Sequence, residues 1–373
     1  MMKITEKRFY ETLQRAVNRE KLDLPHIEIL LSPPDDECEK ALFDAAFKLK
    51  REVFGNLVNL RGLIEFSNIC VCDCHYCGIR KSNTNIRRYT MSEAEILQSA
   101  ADAASFGYGA VVLQSGERSD REFTDRVTGL IEKINALPSP PAITLSCGEQ
   151  SLEVYREWVN AGAKRYLLRI ESSTREIFEA IHPEYTTFNA RKAALRRIRR
   201  AGFQTGTGVM IGLPGQTLHH LAKDVKFFRD IDVDMIGMGP FLPQADTPMS
   251  NAPDDPETIA RRFKWSLRMI AVTRLVLKDV NIAATTALQT IDPENGREKG
   301  ILAGANVIMP NVGEVSYRKD YQLYNGKPSL DENSSGIRHK LLDSLRKIGE
   351  EPRWDSSGDP PHFKKRTGSD EKI

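Results

Sequence analysis

The stretch Ile69-Cys70-Val71-Cys72-Asp73-Cys74-His75-Tyr76-Cys77-Gly78 follows a strand-like apolar run, Leu57 to Phe66, and holds four of the chain's six cysteines. Taken as Cys70, Cys74 and Cys77, the spacing is C-x3-C-x2-C, which lets a tight loop present three thiolates to one face of an iron-sulfur cube. Three ligands leave the fourth iron open. A cluster held by four cysteines mostly carries electrons, whereas an open iron can chelate a substrate and pass an electron into it. The spacing therefore points to an enzyme rather than an electron carrier.

Around this loop the composition is that of a globular protein, with 40% hydrophobic and 28% charged residues over 373 positions. One α/β barrel with extensions uses most of that length. No apolar run approaches the roughly 20 residues of a membrane span, so a soluble protein is expected. The start, Met1-Met2-Lys3-Ile4-Thr5-Glu6-Lys7-Arg8, mixes charges with no apolar stretch behind it, unlike a secretory signal. A cytoplasmic protein is expected, and in that reducing compartment closely packed cysteines favour a metal site over disulfides. A net charge of +2 gives no strong pull toward nucleic acid or an anionic membrane.

Residues 4 to 52 alternate charged and apolar positions at helical spacing, broken near Leu22-Asp23-Leu24-Pro25 and at Ser32-Pro33-Pro34-Asp35-Asp36. This predicts an N-terminal extension of two or three helices over 1–52, with Asp35 or Asp36 capping the last and Cys38 buried as a small hydrophobe. From Val53 short apolar runs alternate with longer amphipathic ones, the pattern of repeated β-α units. Strands are expected at 57–66, 109–114, 142–147, 165–170, 203–211, 233–239, 281–286 and 305–309. Eight parallel strands close a (β/α)8 TIM barrel, here over 53–326. Helices are expected near 92–106, 121–136, 151–161, 188–201, 217–230, 256–277 and 293–302, with Gly107, Gly162 and Gly202 in the helix-to-strand turns. Residues 327–373 are expected to add one helix, 336–348, and a polar tail, 350–373, whose low apolar content predicts disorder.

The cysteine loop follows strand one and so opens at the C-terminal mouth, where barrel enzymes keep their chemistry. A structural zinc site is the alternative for its thiols, but it needs a fourth ligand, usually from a second pair, and Cys38 and Cys147 stand alone. Cys72 lies between ligands and is expected to be a bystander or an oxidation-sensitive thiol. The glycine-rich turn Gly212-Leu213-Pro214-Gly215-Gln216-Thr217 lacks the lysine and spacing of a phosphate loop. The helix carrying Arg191, Lys192, Arg196, Arg197, Arg199 and Arg200 is basic, as solvated faces often are, but Arg191 falls near the mouth, where a cation needs an anion. Arg169 and Glu171 alternate with Ile170 and leave their strand on one face. If that face is the interior, they pair with each other or bind a ligand. The same inward phase raises, more weakly, Thr144, Met235, Thr285 and Thr286.

With an aromatic before its last cysteine, the loop resembles that of the radical S-adenosylmethionine superfamily, C-x3-C-x-aromatic-C. An ordered set of further runs is similar to the FeFe-hydrogenase maturases of the HydE family: Ile64-Glu65-Phe66-Ser67-Asn68, Leu113-Gln114-Ser115-Gly116-Glu117, Tyr166-Leu167-Leu168-Arg169, Gly208 to Thr217, Ala284-Thr285-Thr286-Ala287 and Gly304 to Asn311. The resemblance implies one three-cysteine 4Fe-4S cluster on Cys70, Cys74 and Cys77, whose open iron binds the amino and carboxylate groups of S-adenosylmethionine. It implies that Tyr76 packs beside the adenine, that Glu171 and Arg191 hold the cofactor, and that Ser115, Gly116 and Glu117 lie at its amino-acid end. It further implies a substrate cavity lined by Thr144, Arg169, Met235, Thr285, Thr286 and Tyr321. The substrate implied is a small molecule or organometallic iron complex, with other hydrogenase maturases and a reductant such as ferredoxin or flavodoxin as partners.

The chain departs from its relatives in places. Many carry a second C-terminal cluster on three cysteines, and this chain has no cysteine after Cys147. Arg118-Ser119-Asp120 stands where some have Asp and Pro after the Gly-Glu of strand two, and Ile170 and Ser172-Ser173 stand where some have His and Thr-Ala. Methylornithine synthase and a biotin synthase-like enzyme are the neighbouring alternatives within the superfamily, although the latter needs a second cluster. A non-catalytic iron-sulfur or zinc protein is the alternative outside it.

Overall fold

The computed structural model describes residues 4–368. Its frame is β1 (Leu57–Ser67), whose two faces separate at the strand period of two. Val58, Leu60, Ile64 and Phe66 are all 2% exposed or less and form the outward face. Between them Gly62 lets the helix Glu93–Ser105 close in, for a methyl group there would lie 2.9 Å from Ala103 Cβ. The inward face reads Asn59, Arg61, Leu63, Glu65. Asn59 meets the chain at Gly358 below the barrel, Arg61 borders a small interior space, and Leu63 and Glu65 line the cavity at the mouth.

The remaining strands are β2 (Ala110–Ser115), β3 (Ala142–Ser146), β4 (Arg165–Leu167), β5 (Gln204–Thr207), β6 (Met210–Ile211), β7 (Met235–Ile236), β8 (Gly239–Pro240), β9 (Asn281–Ile282) and β10 (Val307–Ile308). They run parallel in the order β10-β1-β2-β3-β4-β5-β7-β9, and β6 pairs with β8 as an upper continuation of β5 and β7. The sheet curls until its edges meet at the Ala283↔Val307 bridge, where Asn306 N donates to Ile282 O and Ala284 N to Val307 O, both at 2.9 Å. All eight expected strands are present, several shorter than their apolar runs. Past Leu167, for example, the ladder thins to single bonds such as Leu168 N to Gly206 O and Glu171 N to Gly208 O.

Helices cover the outside. Gly162 and Gly202, at φ 115° and 106°, end the helices Leu152–Ala161 and Phe188–Ala201 in the left-handed conformation that glycine adopts without strain. Three N-terminal helices, Ile4–Val17, Leu24–Leu31 and Asp36–Phe54, add a layer against Leu218–Asp230 and Pro256–Leu277. Asp35 is the cap, its carboxylate accepting from Cys38 N at 2.7 Å. Cys38 is buried, as expected of an apolar filler, and burial pushes its thiol up to about 11.

The tail corrects an expectation. Residues 350–368 have defined structure, and of the tail only 369–373 lie outside the described residues. β11 (Glu351–Arg353) runs parallel beside the start of β1, and residues 355–359 then cross the barrel floor. There the buried Arg165 guanidinium donates to Ser357 O at 2.6 Å and is ion-paired with Asp359. Gln204 also donates to Asp359, and Asn281 Nδ2 donates to Gly358 O at 2.8 Å. The helix Pro361–Thr367 is fastened by His362 to Asp232 at 2.7 Å and by Arg366 to Asp234 at 2.6 Å. Few apolar residues predicted disorder because polar complementarity to a distant floor leaves no trace in local composition.

Removing one partner of a buried ion pair leaves the other charge uncompensated. Asp359→Ala is expected to lower stability by about 3 kcal/mol in urea unfolding. Adding Arg165→Met to that variant should recover part of the loss.

Candidate active site

The cysteine loop is fixed by the end of β2. Gly116 N donates to Ser67 O, Val71 N to Glu117 O, both at 2.9 Å, and Glu117 N to Cys70 Sγ at 3.3 Å. A methyl group on Gly116 would stand 2.3 Å from Ile69 O and 2.7 Å from Cys70 Cβ, so only glycine permits this approach. The opposite side of the loop is held by Gly78 N to Leu323 O at 3.1 Å and by Asn68, whose Nδ2 donates to Asp320 O at 2.7 Å.

Cys70, Cys74 and Cys77 line one wall of a cavity of about 310 Å³ at the barrel mouth. None is in a disulfide. Among the described residues no three His, Cys, Asp or Glu side chains are grouped closely enough to hold a single metal ion. Three thiols on one wall are the donor type that an iron-sulfur cluster takes. The Cys72 thiol and the backbone N–H groups of Cys72 and Glu117 lower the Cys70 pKa despite its burial. Burial pushes Cys74 up to about 12 and raises Cys77 well above the ordinary thiol. A metal group held by these thiols would displace their protons. Cys72, 8% exposed, also borders the cavity, and its pKa is raised by the hydrogen bond with Cys70.

Glu171 and Arg191 face the cysteines across the cavity. Glu171 is a buried non-glycine residue at φ 62°, a conformation that costs of the order of 1 kcal/mol and concentrates at functional sites. Its Oε1 accepts from the Tyr76 hydroxyl at 3.4 Å, and Arg169 Nη2 is 3.2 Å from Oε2. Both side chains line the cavity, as the alternation expects if the face is interior, and of the two readings, pairing with each other or binding a ligand, the ion pair is present. The pair is not aligned as a hydrogen bond, and Arg169 Nε and Glu171 Oε2 are both buried without a hydrogen-bond partner, as expected where a polar ligand completes the set. Arg191 donates to Arg169 O and to Glu149 Oε1, both at 2.6 Å. Burial opposes its charge, but Glu149, Tyr76 and Glu117 together outweigh burial and its pKa is raised.

Ser115, Gly116 and Glu117 lie at the cysteine end of the cavity, and burial raises the Glu117 carboxyl. Thr285, Thr286 and Tyr321 line the same cavity. Thr144 and Met235 sit lower, around a space of about 20 Å³ that shares Leu167, Gly237 and Met309 with the cavity above. Four residues were not singled out by sequence: Glu65, Lys327, Gln114 and Glu149. Lys327 Nζ bonds both Glu65 oxygens, at 2.5 and 2.7 Å, and Tyr321 O at 3.0 Å, drawing the segment after β10 across the cavity. The alternation that exposed Arg169 and Glu171 also marks Glu65 and Gln114 as inward. Lys327, 262 residues from Glu65, carries no such signal.

A closed parallel barrel with three thiols beside a cofactor-sized, polar-rimmed cavity is the arrangement of a radical S-adenosylmethionine enzyme, and the Radical SAM superfamily profile matches residues 64–228. Members use a 4Fe-4S cluster and S-adenosylmethionine. The FeFe hydrogenase maturase subunit HydE of Thermotoga maritima is 40% identical over 328 residues, 88% of this chain and 91% of that protein, and the chain belongs to its family. More distantly, 3-methylornithine synthase of Methanosarcina acetivorans is 27% identical over 87% of this chain and 89% of its own length. The solved methylornithine synthase PylB, 23% identical, shares the fold with a TM-score of 0.79 over 92% of this chain and 98% of its own. No helix among the described residues is long and apolar enough to cross a membrane.

Behind Tyr76 the His182 ring packs edge-on at 5.6 Å and stacks on Phe178, with Nδ1 bonded to Phe178 O and Nε2 buried without a partner. Burial, then Arg191 and His75, lowers its pKa to about 3. The unfolded chain therefore takes up a proton below about pH 6.5 that the folded protein refuses, and stability falls with decreasing pH. His182→Phe is expected to remove a slope of up to about 1.4 kcal/mol per pH unit between pH 6 and 4. Unfolding curves of the protein and the variant, subtracted, isolate this contribution.

Proposed function

We propose that Cys70, Cys74 and Cys77 ligate one 4Fe-4S cluster and leave its fourth iron facing the cavity, where S-adenosylmethionine binds. The observation that carries this is the convergence of the three thiols with the orphaned polar atoms of Glu171 and Arg169 on one cavity. Glu171 offers Oε2 to a donor on the cofactor, Arg191 holds the Glu149 side of the site, and the Tyr76 ring, backed by His182, provides a flat apolar neighbour for the adenine. Ser115, Gly116 and Glu117 bound the end nearest Cys70. A reduced cluster held there would supply one electron to the sulfonium of S-adenosylmethionine, the chemistry that breaks its carbon-sulfur bond into methionine and a 5'-deoxyadenosyl radical. The enclosing barrel keeps water from that radical.

The chain then acts in maturation of the FeFe hydrogenase H-cluster, on an organometallic iron substrate bounded by Arg169, Thr285, Thr286 and Tyr321 above and Thr144 and Met235 below. Support comes from the family relationship across 88% of the chain. Other maturases are its partners, a ferredoxin or flavodoxin supplies the electron, and the cytoplasm keeps the thiols reduced. Against a biotin synthase-like reading, the two cysteines outside the loop, Cys38 and Cys147, are both buried and far apart in the chain, which leaves no ligand set for a second cluster.

After anaerobic reconstitution with iron and sulfide, dithionite and S-adenosylmethionine are expected to yield 5'-deoxyadenosine and an altered cluster EPR signal. Cys74→Ala should abolish cleavage, and retained activity would refute the ligand assignment. Gly116→Ala keeps every thiol yet displaces the loop, so its iron content after reconstitution should fall at least severalfold. A strain lacking this protein that still matured active hydrogenase would sink the maturation role.

A further inference from the structure

Cys70 and Cys72 both turn into the cavity, while Val71 between them is exposed and Asp73 turns away to Arg80 and Ser82. Among the described residues Cys72 is the one cavity-lining thiol outside the cluster assignment. Its place is nevertheless closely fixed. Cys72 O accepts from Lys81 N at 2.8 Å, and the residue is only 8% exposed.

The three assigned sulfurs differ in what reaches them. Cys70 Sγ accepts from Cys72 N at 3.4 Å, from Glu117 N at 3.3 Å and from the Cys72 thiol. Cys77 has a single backbone donor, the N–H of Ile79, and Cys74 has no donor among the described residues. Two of the three donors to Cys70 are backbone groups, which the loop supplies whatever side chain stands at position 72. The third exists only because that side chain carries an S–H. The Glu117 carboxyl is also within reach of this proton, but its Oε2 already accepts from Glu149 N at 2.9 Å.

We propose that Cys72 is a positioning residue for the redox chemistry of the site, its thiol proton held on Cys70 Sγ so that the cluster on that sulfur is easier to reduce. The inference rests on the proposed function, since only a cluster on Cys70 gives this hydrogen bond something to tune. One-electron reduction adds negative charge that spreads onto the ligand sulfurs. A donor aimed at one of them therefore stabilises the reduced form more than the oxidised form, and hydrogen bonds to the sulfurs are among the factors that set such potentials. A small apolar side chain would fill the same space and leave Cys70 with its two backbone donors. Packing alone thus gives no reason for an S–H at this position.

The test uses the protein reconstituted anaerobically with iron and sulfide and titrated with dithionite in the presence of mediators, the reduced cluster being followed by EPR. Cys72→Val fills the space without a donor, Cys72→Ala removes the donor with the least bulk, and Cys72→Ser keeps a donor. Iron content is expected to match the parent in all three. At the potential that half-reduces the parent, the ratio of reduced to oxidised cluster should fall about threefold in Cys72→Val and Cys72→Ala, the worth of a weak hydrogen bond. In Cys72→Ser it should stay close to the parent. A shift in Cys72→Ser as large as in Cys72→Val overturns the proposal, by making the effect one of shape. Iron content that falls in Cys72→Ala also overturns it, by making Cys72 a ligand. A loaded parent whose non-donor variants share its midpoint overturns this role alone, whereas a parent that takes up no 4Fe-4S cluster overturns the proposed function and this role together.

Discussion

A charge inside a barrel costs several kcal/mol unless an opposite charge or a full set of hydrogen bonds meets it. This protein places charged side chains at both ends of its barrel. At the floor Arg165 is met by Asp359 and by Ser357 O. At the mouth Glu65 is met by Lys327, and Arg191 by Glu149. Each partner comes from a loop or from the tail, so the electrostatics of the interior dictate where those irregular segments lie. The pair Arg169 and Glu171 at the mouth is close but incompletely bonded. Incomplete satisfaction of this pair, beside three thiols on one cavity, is what a site for a polar ligand requires and a closed structural ion pair does not.

How far the sequence reaches follows from how local each signal is. The cysteine spacing and the β-α rhythm are written in neighbouring residues, and both are present where expected. Strand ends are less legible, because the strands lose their neighbours as the barrel opens toward the mouth. The apolar run 165–170 gives only three residues of ladder. The inward phase of Arg169 and Glu171 follows from alternation alone, and the same alternation in β1 would have marked Glu65. Its partner Lys327 has no pattern to betray it. The tail was misread for the same reason, since its partners Arg165, Gln204 and Asn281 lie on three different strands.

Cys72, without a role on sequence alone, gains a physical description. Its thiol and its N–H both bond the sulfur of Cys70, and the contact favours the thiolate of Cys70. The hydrogen bonds that hold the loop to β2 converge on the same sulfur through Glu117 N. Loop position and thiol chemistry are thus set by one group of contacts.

Both closures of the barrel are made by residues that follow β10: Lys327 at the mouth, and Ser357 to Asp359 at the floor. During synthesis on the ribosome the eight wall strands therefore emerge before either closing segment. The order of residues along the chain thus sets an order of emergence, wall first and closures last.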